Sequence, residues 1–251
     1  MSLDARGTPV VSVIMPAHNA GRYLRDAVES VLAQRFDAFE LLVTDDGSTD
    51  DTGSIVEEYA RRSTVRVFHN SRNLGAAATR NRMLADARGR YVTPVDADDL
   101  LLPGNLTRLS TFLDAHPDVG VVYADVLSLS VATDDELLEP PIVCGADCAK
   151  TWDLLENVVN HGGSMSRRDV LLDAGGYDED VYSVDDWSLW LKVTERTRIQ
   201  YLPGEIYYLW RRHPESMTRR EPRYQENVRR IVTAAATRRG FSAPPPVEPP
   251  A

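Results

Sequence analysis

The sequence has few cysteines, no excess of positive charge and no long apolar run. Cys144 and Cys148 are the two cysteines among 251 residues. They are too few for a disulfide framework, and no neighbouring histidine or cysteine completes a zinc pattern, so we interpret them as incidental thiols. The formal net charge is −10. An acidic surface does not attract nucleic acid or anionic membranes, so both are poor candidate partners.

Signals for export and membrane insertion are also missing. Residues 1–7 lack the apolar core of a signal peptide, and no run of eighteen apolar residues occurs. We therefore expect a protein without a transmembrane segment that is cytoplasmic, or peripheral at the inner face of the membrane. An apolar content of 43% in 251 residues suffices for one large domain or two closely packed halves.

Strand and helix signals alternate through the first hundred residues. Short apolar runs at 10–15, 40–44, 65–69 and 90–95 are separated by segments with helical apolar spacing. This βαβ series predicts an α/β fold with a doubly wound, mostly parallel sheet. The loops 16–19, 45–51 and 96–99 would then open on one edge, where such sheets bind ligands.

The third of these loops is acidic. Asp96, Asp98 and Asp99 directly follow an apolar strand. Clustered carboxylates repel one another unless a cation neutralises them, and Mg²⁺ or Mn²⁺ prefers one or two carboxylates together with phosphate oxygens. The alternative is a solvated acidic turn that caps the next helix, and an isolated motif does not decide between the two.

The first two loops narrow the choice of ligand. Residues 16–21 match neither the dinucleotide-binding pattern G-x-G-x-x-G nor the phosphate loop G-x-x-x-x-G-K-[ST], which argues against dehydrogenases and P-loop enzymes. The loop Asp45-Asp46-Gly47-Ser48 is typical of helix capping and a tight turn. Its doubled acid is also suited to accept hydrogen bonds from a uracil N–H or a ribose hydroxyl.

Seven motifs in order resemble those of the family 2 inverting glycosyltransferases of GT-A fold. They lie at residues 11–19, 45–48, 73–81, 96–99, 175–179, 185–187 and 213–217. The resemblance covers roughly residues 9 to 220. It implies a nucleotide-sugar donor, most often UDP-linked, a divalent cation such as Mn²⁺ or Mg²⁺, and a glycan, lipid-linked or small-molecule acceptor.

By position, the resemblance implies that seven residues bind the nucleotide sugar: Pro16, Ala17, Asn19, Asp46, Arg80, Asp96 and Asp98. Asp46 would hold the uracil, Asp96 would contact the ribose, and Asp98 would be the principal metal ligand. Asp99 either touches the metal or donor, or caps the helix that follows residues 102–103.

Two further assignments have structural alternatives. Arg80 matches an arginine near the base and phosphates, but it is equally typical of a solvated helix residue. His213 matches a histidine that contacts the metal or the diphosphate in some relatives, whereas a lone histidine is usually a surface or packing residue.

A catalytic base is expected in the second half. Asp185 and Asp186 precede Trp187 and Trp190 at helical spacing, so the acids would begin a helix whose tryptophans pack inward. A helix N-terminus is expected to lower the pKa of such a carboxyl. By resemblance the second acid, Asp186, is the base, although helix capping explains the same pattern. Asp185 replaces the commoner glutamate, which leaves its own role open.

The acceptor-side candidates are Asp185, Trp187 and Gly163. Residues 160–168 place small residues before Arg167 and Arg168, which indicates either space for a ligand with anion contacts or a close-packed strand entering a helix. Three nearby aromatic residues are candidates for sugar stacking or, alternatively, core packing: Tyr207, Tyr208 and Trp210.

These patterns divide the chain into four parts. We predict a flexible terminus over 1–8, a nucleotide-sugar-binding half over 9–105, an acceptor-binding and catalytic-base half over 106–241, and a disordered proline-rich tail over 242–251. Residues 125–150 lack clear periodicity and are interpreted as an exposed excursion.

The expected activity is metal-dependent inverting glycosyl transfer by direct displacement. The alternatives are a sugar-1-phosphate nucleotidyltransferase and a catalytically silent nucleotide-sugar-binding or glycan-binding relative.

Overall fold

The structure, a computed structural model, describes residues 7–132, 139–146, 157, 159–214 and 223–240. Strands and helices alternate through its first half: β1 (Val11–Ala17), α1 (Gly21–Leu32), β2 (Phe39–Asp45), α2 (Thr52–Glu58), β3 (Val65–His69), α3 (Ala76–Asp86) and β4 (Tyr91–Pro94). β1 pairs in parallel with β2 and β4, and β2 pairs in parallel with β3. The predicted parallel βαβ series is therefore confirmed.

The second half extends the same sheet with strands of both directions. Its elements are β5 (Leu100–Leu101), α4 (Asn105–Ala115), β6 (Val119–Ser130), β7 (Ile142–Cys144), β8 (Met165–Arg167), α5 (Arg168–Asp173), α6 (Asp185–Val193), β9 (Arg198–Arg212) and α7 (Tyr224–Arg238). Within the described residues the strand order is β3-β2-β1-β4-β8-β6-β9-β5, and β7 pairs with β6. β8 runs antiparallel to both β4 and β6 and so links the two halves.

Apolar side chains on both faces of the central strands build two cores. Val13 and Met15 of β1 pack in one cluster with Leu24 of α1, whereas Ile14 packs in another with Met83 of α3. Alternate residues of a strand point to opposite faces, so β1 is almost entirely buried because helices cover both faces; its polar residue, Ser12, donates a hydrogen bond to Glu40. The fold is a doubly wound α/β sheet, as the sequence predicts.

A third apolar cluster joins α6 to α7. Trp187 and Leu191 of α6 pack against Val228, Ile231 and Val232 of α7. The helical spacing of these residues places them on one face of each helix. Among the described residues, none of the helices is both long and apolar enough to cross a membrane.

The segment 125–150 differs from its sequence interpretation. β6 continues to Ser130, and β7 pairs with its end. Ser128 and Ser130 are buried, while Leu127 and Leu129 are only partly buried. In this part of β6 the polar residues point inward and the apolar ones outward, which is the reverse of the usual alternation. The alternation of apolar residues in the sequence therefore did not indicate a strand here.

Several sequence predictions fall outside the described residues. They concern most of the terminus 1–8, the acidic run 134–136, Cys148, the motif residues 215–217 and the tail 242–251. The division into a nucleotide half and an acceptor half stays a prediction.

Candidate active site

The three strand-end loops meet in one cleft of ≈560 Å³. Its volume lies within the usual range of small-molecule sites. The cleft is lined by ten of the residues that the sequence singled out: Pro16, Ala17, Asn19, Asp46, Arg80, Asp96, Asp98, Asp99, Trp210 and His213. Their meeting follows from the parallel strands, whose carboxyl ends share one edge.

Hydrogen bonds tie the first loop to the second. Asn19 Oδ1 accepts a hydrogen bond from the Thr49 N–H at 2.8 Å, and the Asn19 N–H donates to the Ser48 hydroxyl at 3.0 Å. His18 Nδ1 lies 3.0 Å from the Asp46 carbonyl oxygen, so that ring nitrogen carries the proton. These contacts fix the two loops as one wall.

The Asp46 carboxylate joins the segment 70–75 to these two loops. Its Oδ1 accepts from Asn70 Nδ2 at 2.8 Å and from the Leu74 N–H at 2.9 Å, and its Oδ2 accepts from the Gly75 N–H at 2.9 Å. Asn70 was not among the sequence candidates, because nothing local to it indicates a partner 24 residues away. In the described residues, one lone pair of Oδ2 remains available to a ligand.

Asp98 and His213 form a pair beside the acidic loop. Asp98 Oδ2 lies 3.0 Å from His213 Nε2, and the imidazole packs against the Tyr23 ring at a centroid distance of 4.8 Å. The histidine side chain is 7% exposed and the aspartate side chain 33%. Neighbouring ligands of an octahedral ion at about 2.1 Å stand about 3 Å apart, so this separation suits a shared divalent cation. The described residues contain no cluster of three or more metal-ligating acid, histidine or cysteine side chains.

Asp99 has a different environment from its neighbour. Its carboxylate accepts hydrogen bonds from the Tyr208 hydroxyl and the Arg211 N–H, both at 2.8 Å. Burial, together with the nearby Asp98 and Asp96 charges, raises the pKa of Asp99 well above its ordinary value. The expectation that it caps the next helix is wrong, because Gly104 is the N-cap of α4. Asp99 instead holds the end of β9 to the acidic loop.

Arg80 lines the cleft and connects its acidic loop to the start of α6, whose residues Asp185 and Asp186 do not line the described cleft. Its guanidinium is hydrogen-bonded to Asp96 Oδ1 at 2.6 Å and to Asp185 Oδ2 at 2.9 Å. The residue is 5% exposed, which removes the solvated alternative. Although burial alone would raise it, the Arg80 charge holds the pKa of Asp96 below its ordinary value. Asp185 therefore pairs with a cation that also contacts Asp96 of the acidic loop.

A histidine and a tyrosine support this bridge. The Arg80 guanidinium lies 5.7 Å from the centre of the Tyr177 ring, and Tyr177 shares a 3.0 Å hydrogen bond with His161. Burial, reinforced by the Arg80 charge, lowers the pKa of His161 to about 3. The imidazole is therefore neutral and adds no positive charge. Neither residue was assigned a role from the sequence.

Asp186 occupies the first turn of α6 in a partly buried site. Its carboxylate accepts hydrogen bonds from Asn157 Nδ2 at 3.0 Å and from the Trp187 N–H at 2.7 Å. Burial, together with the adjacent Asp185 charge, raises the pKa of Asp186 to about 6. The expected lowering by the helix N-terminus is wrong, because these two effects outweigh it. A carboxyl with this pKa exchanges its proton near neutral pH.

The other two acceptor-side candidates, Trp187 and Gly163, lie at positions that packing explains. Trp187 packs in the cluster between α6 and α7 and is 6% exposed. Gly163 has φ +71°, and a Cβ built on it would lie 2.8 Å from the Tyr208 Cβ, so it serves close packing.

The basic pair after Gly163 is also structural. Arg167 donates to carbonyl groups at the end of α4, and Arg168 donates to those at the end of α3. Residues 165–168 are thus a close-packed strand that enters a helix.

The three aromatic candidates on β9 differ in their surroundings. Tyr208 is buried and its hydroxyl contacts Asp99, while the Tyr207 hydroxyl donates to Glu205 at 2.8 Å. Trp210 lines the cleft. Tyr182 lines it too, although no sequence pattern pointed to that residue.

Comparisons with known proteins agree with this geometry. EpsE of Bacillus subtilis, a proposed glycosyltransferase, is 29% identical over 235 residues, which cover 92% of this chain and 83% of EpsE. S. aureus TarS, solved with UDP-GlcNAc, superimposes with a TM-score of 0.68 at 23% identity, over 90% of this chain and 65% of that one. The mannosyltransferase PcManGT of Pyrobaculum calidifontis, solved with GDP-Man and Mn²⁺, gives 0.68 at 22% identity, over 97% and 68%.

These structural likenesses establish the GT-A fold. The chain spans 25% to 66% of the length of several other relatives that it matches. The sequence model of the family described as "Glycosyl transferase family 2" matches residues 12–174, which is more than half of the chain. The chain therefore belongs to glycosyl transferase family 2.

Proposed function

We propose that this glycosyltransferase moves a sugar from a UDP-linked donor to an acceptor hydroxyl by metal-dependent, inverting direct displacement. The donor would lie along the loops of Pro16, Asp46 and Asp96, and the acceptor beside Asp186. An α-linked donor would give a β-linked product, because attack and departure occur on opposite faces of the anomeric carbon.

The Arg80 bridge gives the main support for this assignment. It connects Asp96, a cleft residue on the donor loop, with Asp185, the neighbour of Asp186. A purely structural ion pair needs only two partners, whereas this guanidinium has two acids, one in each of the places that we propose for the donor and for the base. The bridge holds both at a fixed separation, which favours direct attack.

Asp98 and His213 are the residues suited to hold the cation. One carboxylate and one imidazole leave coordination positions for diphosphate oxygens and water, which Mn²⁺ and Mg²⁺ accept. When bound, the cation would stabilise the negative charge that develops on the leaving diphosphate.

Asp186 is the proposed base. Its carboxylate takes the proton of the acceptor hydroxyl while that oxygen forms a bond to the anomeric carbon. The bond from the anomeric carbon to the diphosphate breaks, and its electron pair leaves with the nucleoside diphosphate. A base with a pKa near 6 is largely ionised at neutral pH and still able to accept a proton.

Asp46 is proposed to bind the nucleobase. Its Oδ2 has one remaining lone pair, which can accept a hydrogen bond from the ring N–H of uracil. The related structures with UDP-GlcNAc and GDP-Man support a nucleotide sugar as the donor class.

A donor panel tests the proposal. Purified protein is incubated with UDP-glucose, UDP-galactose, UDP-GlcNAc or GDP-mannose, with Mn²⁺ or with EDTA, and released nucleotide is quantified. We expect UDP release from at least one UDP-sugar that requires the divalent cation. Nucleotide release that is unaffected by EDTA would contradict metal dependence, and a product that retains the donor configuration would contradict direct displacement.

A further inference from the structure

Tyr182 is an exposed aromatic residue in the wall of the cleft. It lies on the loop between α5 and α6, lines the cleft and is 45% exposed. Burying an aromatic side chain is favourable, so an exposed ring inside a concave site offers binding energy to whatever enters. None of the roles assigned above uses this residue.

The loop holds Tyr182 firmly from both sides. Val181 and Val184 are 4% and 1% exposed and belong to the cluster between α6 and α7. Asn227 of α7 donates to the Tyr182 carbonyl oxygen at 3.0 Å. The backbone of Tyr182 is therefore anchored to two helices, which reduces the entropy lost when its ring is covered.

A strained residue follows the tyrosine. Ser183 has φ +68°, one of two positive values among the described non-glycine residues. Residues other than glycine rarely adopt this conformation because their Cβ then crowds the backbone, and such strain is frequent at functional sites. Here it lets two buried valines flank an exposed tyrosine.

The position of the loop assigns Tyr182 to the acceptor. It precedes the first residue of α6 by three positions, and Asp186 is the second residue of that helix. Tyr182 also lines the same cleft as Arg80 and Asp96. It therefore lies in the segment of the proposed base and at the edge of the proposed donor site, where an acceptor has to meet the donor.

A sugar ring suits this surface. One face of a pyranose presents several C–H groups, which pack on the flat face of an aromatic ring, while hydroxyl groups at its edge reach polar neighbours. We propose that Tyr182 is the platform of an acceptor subsite that binds a sugar ring next to the reacting hydroxyl. This assignment rests on the proposed function and extends it to a glycan-type acceptor.

Trp210, the tryptophan in the described lining of the cleft, has a charged neighbour. The Arg212 guanidinium carbon lies 5.8 Å from the centre of the Trp210 ring. One neighbour of that ring is therefore already a cation.

Glycan binding tests the subsite directly. The full chain, with UDP and Mn²⁺ present, is applied to a printed oligosaccharide array, and the affinity of each bound glycan is then measured by calorimetry. Tyr182→Phe keeps the ring, whereas Tyr182→Ala removes it. Leu172→Ala is the matched control, because Leu172 is 43% exposed on α5 and does not line the described cleft.

We expect Tyr182→Phe and Leu172→Ala to bind glycan as the wild type does, and Tyr182→Ala to bind about 3- to 10-fold more weakly. The affinity for UDP should be equal in all four proteins. Equal glycan affinity in Tyr182→Ala, a loss of UDP affinity instead, or no glycan bound by the wild type would overturn the subsite. Absence of metal-dependent UDP release from every donor would contradict the proposed function itself, which is a separate result.

Discussion

The Arg80 guanidinium donates to the Asp185 carboxylate at 2.9 Å, although the residues are 105 positions apart in the chain. Asp185 thereby neutralises part of a buried cation, and it also lies next to Asp186. Its negative charge contributes to the raised pKa of the neighbouring carboxyl. Asp185 thus interacts electrostatically with both Arg80 and Asp186.

We therefore predict that Asp185→Asn shifts the acidic limb of the pH–rate profile to lower pH. Removing the neighbouring charge lowers the pKa of Asp186, and the freed Arg80 charge acts in the same direction. Activity should rise through pH 6 in the wild type and at a lower pH in the variant. Asp185→Glu keeps the charge and serves as the control. A limb that stays in place in Asp185→Asn would show that Asp186 does not control the rate.

Asp186→Asn should separate chemistry from binding. Asparagine cannot take the acceptor proton, so transfer should fall by about 10²- to 10⁴-fold while UDP affinity stays unchanged. Initial transfer rates and UDP calorimetry on one preparation measure both. Wild-type transfer by the variant would eliminate Asp186 as the base.

The same substitution should stabilise the protein at neutral pH. The pKa of Asp186 rises from 3.8 to about 6 on folding, so the stability from proton binding is present below pH 4 and lost as pH rises through 6. At pH 8, Asp186→Asn should raise the free energy of unfolding by up to about 3 kcal/mol, since one pKa unit corresponds to about 1.4 kcal/mol. Urea unfolding at pH 8 and pH 4 tests this, with no gain expected at pH 4. A lower stability at both pH values would indicate that Asp186 acts mainly as a helix cap.

Asp98→Asn should weaken cation-dependent UDP binding by at least about 10-fold. The side chain lies at the cleft and is partly exposed, so the melting temperature should change little. Asp118→Asn is the matched control, because Asp118 is 56% exposed and pairs with Arg198 on the surface. UDP titrations with Mn²⁺ and with EDTA give the comparison. Equal metal dependence in both variants would remove Asp98 from the site.

Gly163→Ala should destabilise the fold more than Gly175→Ala. Both glycines have positive φ, +71° and +82°, so each substitution incurs a similar backbone strain. A Cβ at Gly163 would meet the Tyr208 side chain at 2.8 Å, whereas nothing lies within 4 Å at Gly175. We expect about 1–3 kcal/mol of additional loss for Gly163→Ala in urea unfolding. Similar losses in the two variants would mean that Tyr208 moves aside freely.

The sequence was sufficient for features that depend on short segments. Apolar runs and helical spacing predict the parallel strands, and the parallel strands place Asp46 and Asp98 at one edge. This inference needs no knowledge of tertiary contacts, because strand direction alone decides which loops meet.

Features that depend on distant partners were not accessible in the same way. Asp99 and Asp98 are adjacent carboxylates, yet Tyr208 and Arg211 engage one and His213 the other. The pKa of Asp186 follows from burial and from a neighbouring charge that outweigh the helix N-terminus, and burial is a property of the packed protein. Local patterns therefore located the acids but did not distinguish their environments.

The three-residue strand β8 has a consequence for synthesis of the chain. It occupies the position between β4 and β6, so the edge of β4 is paired by Met165–Arg167. A ribosome releases the whole βαβ series before these residues emerge. During that interval the nascent chain presents an open strand edge, which is a template for association with other chains. Completion of the sheet next to β4 thus waits for a segment encoded about seventy codons later.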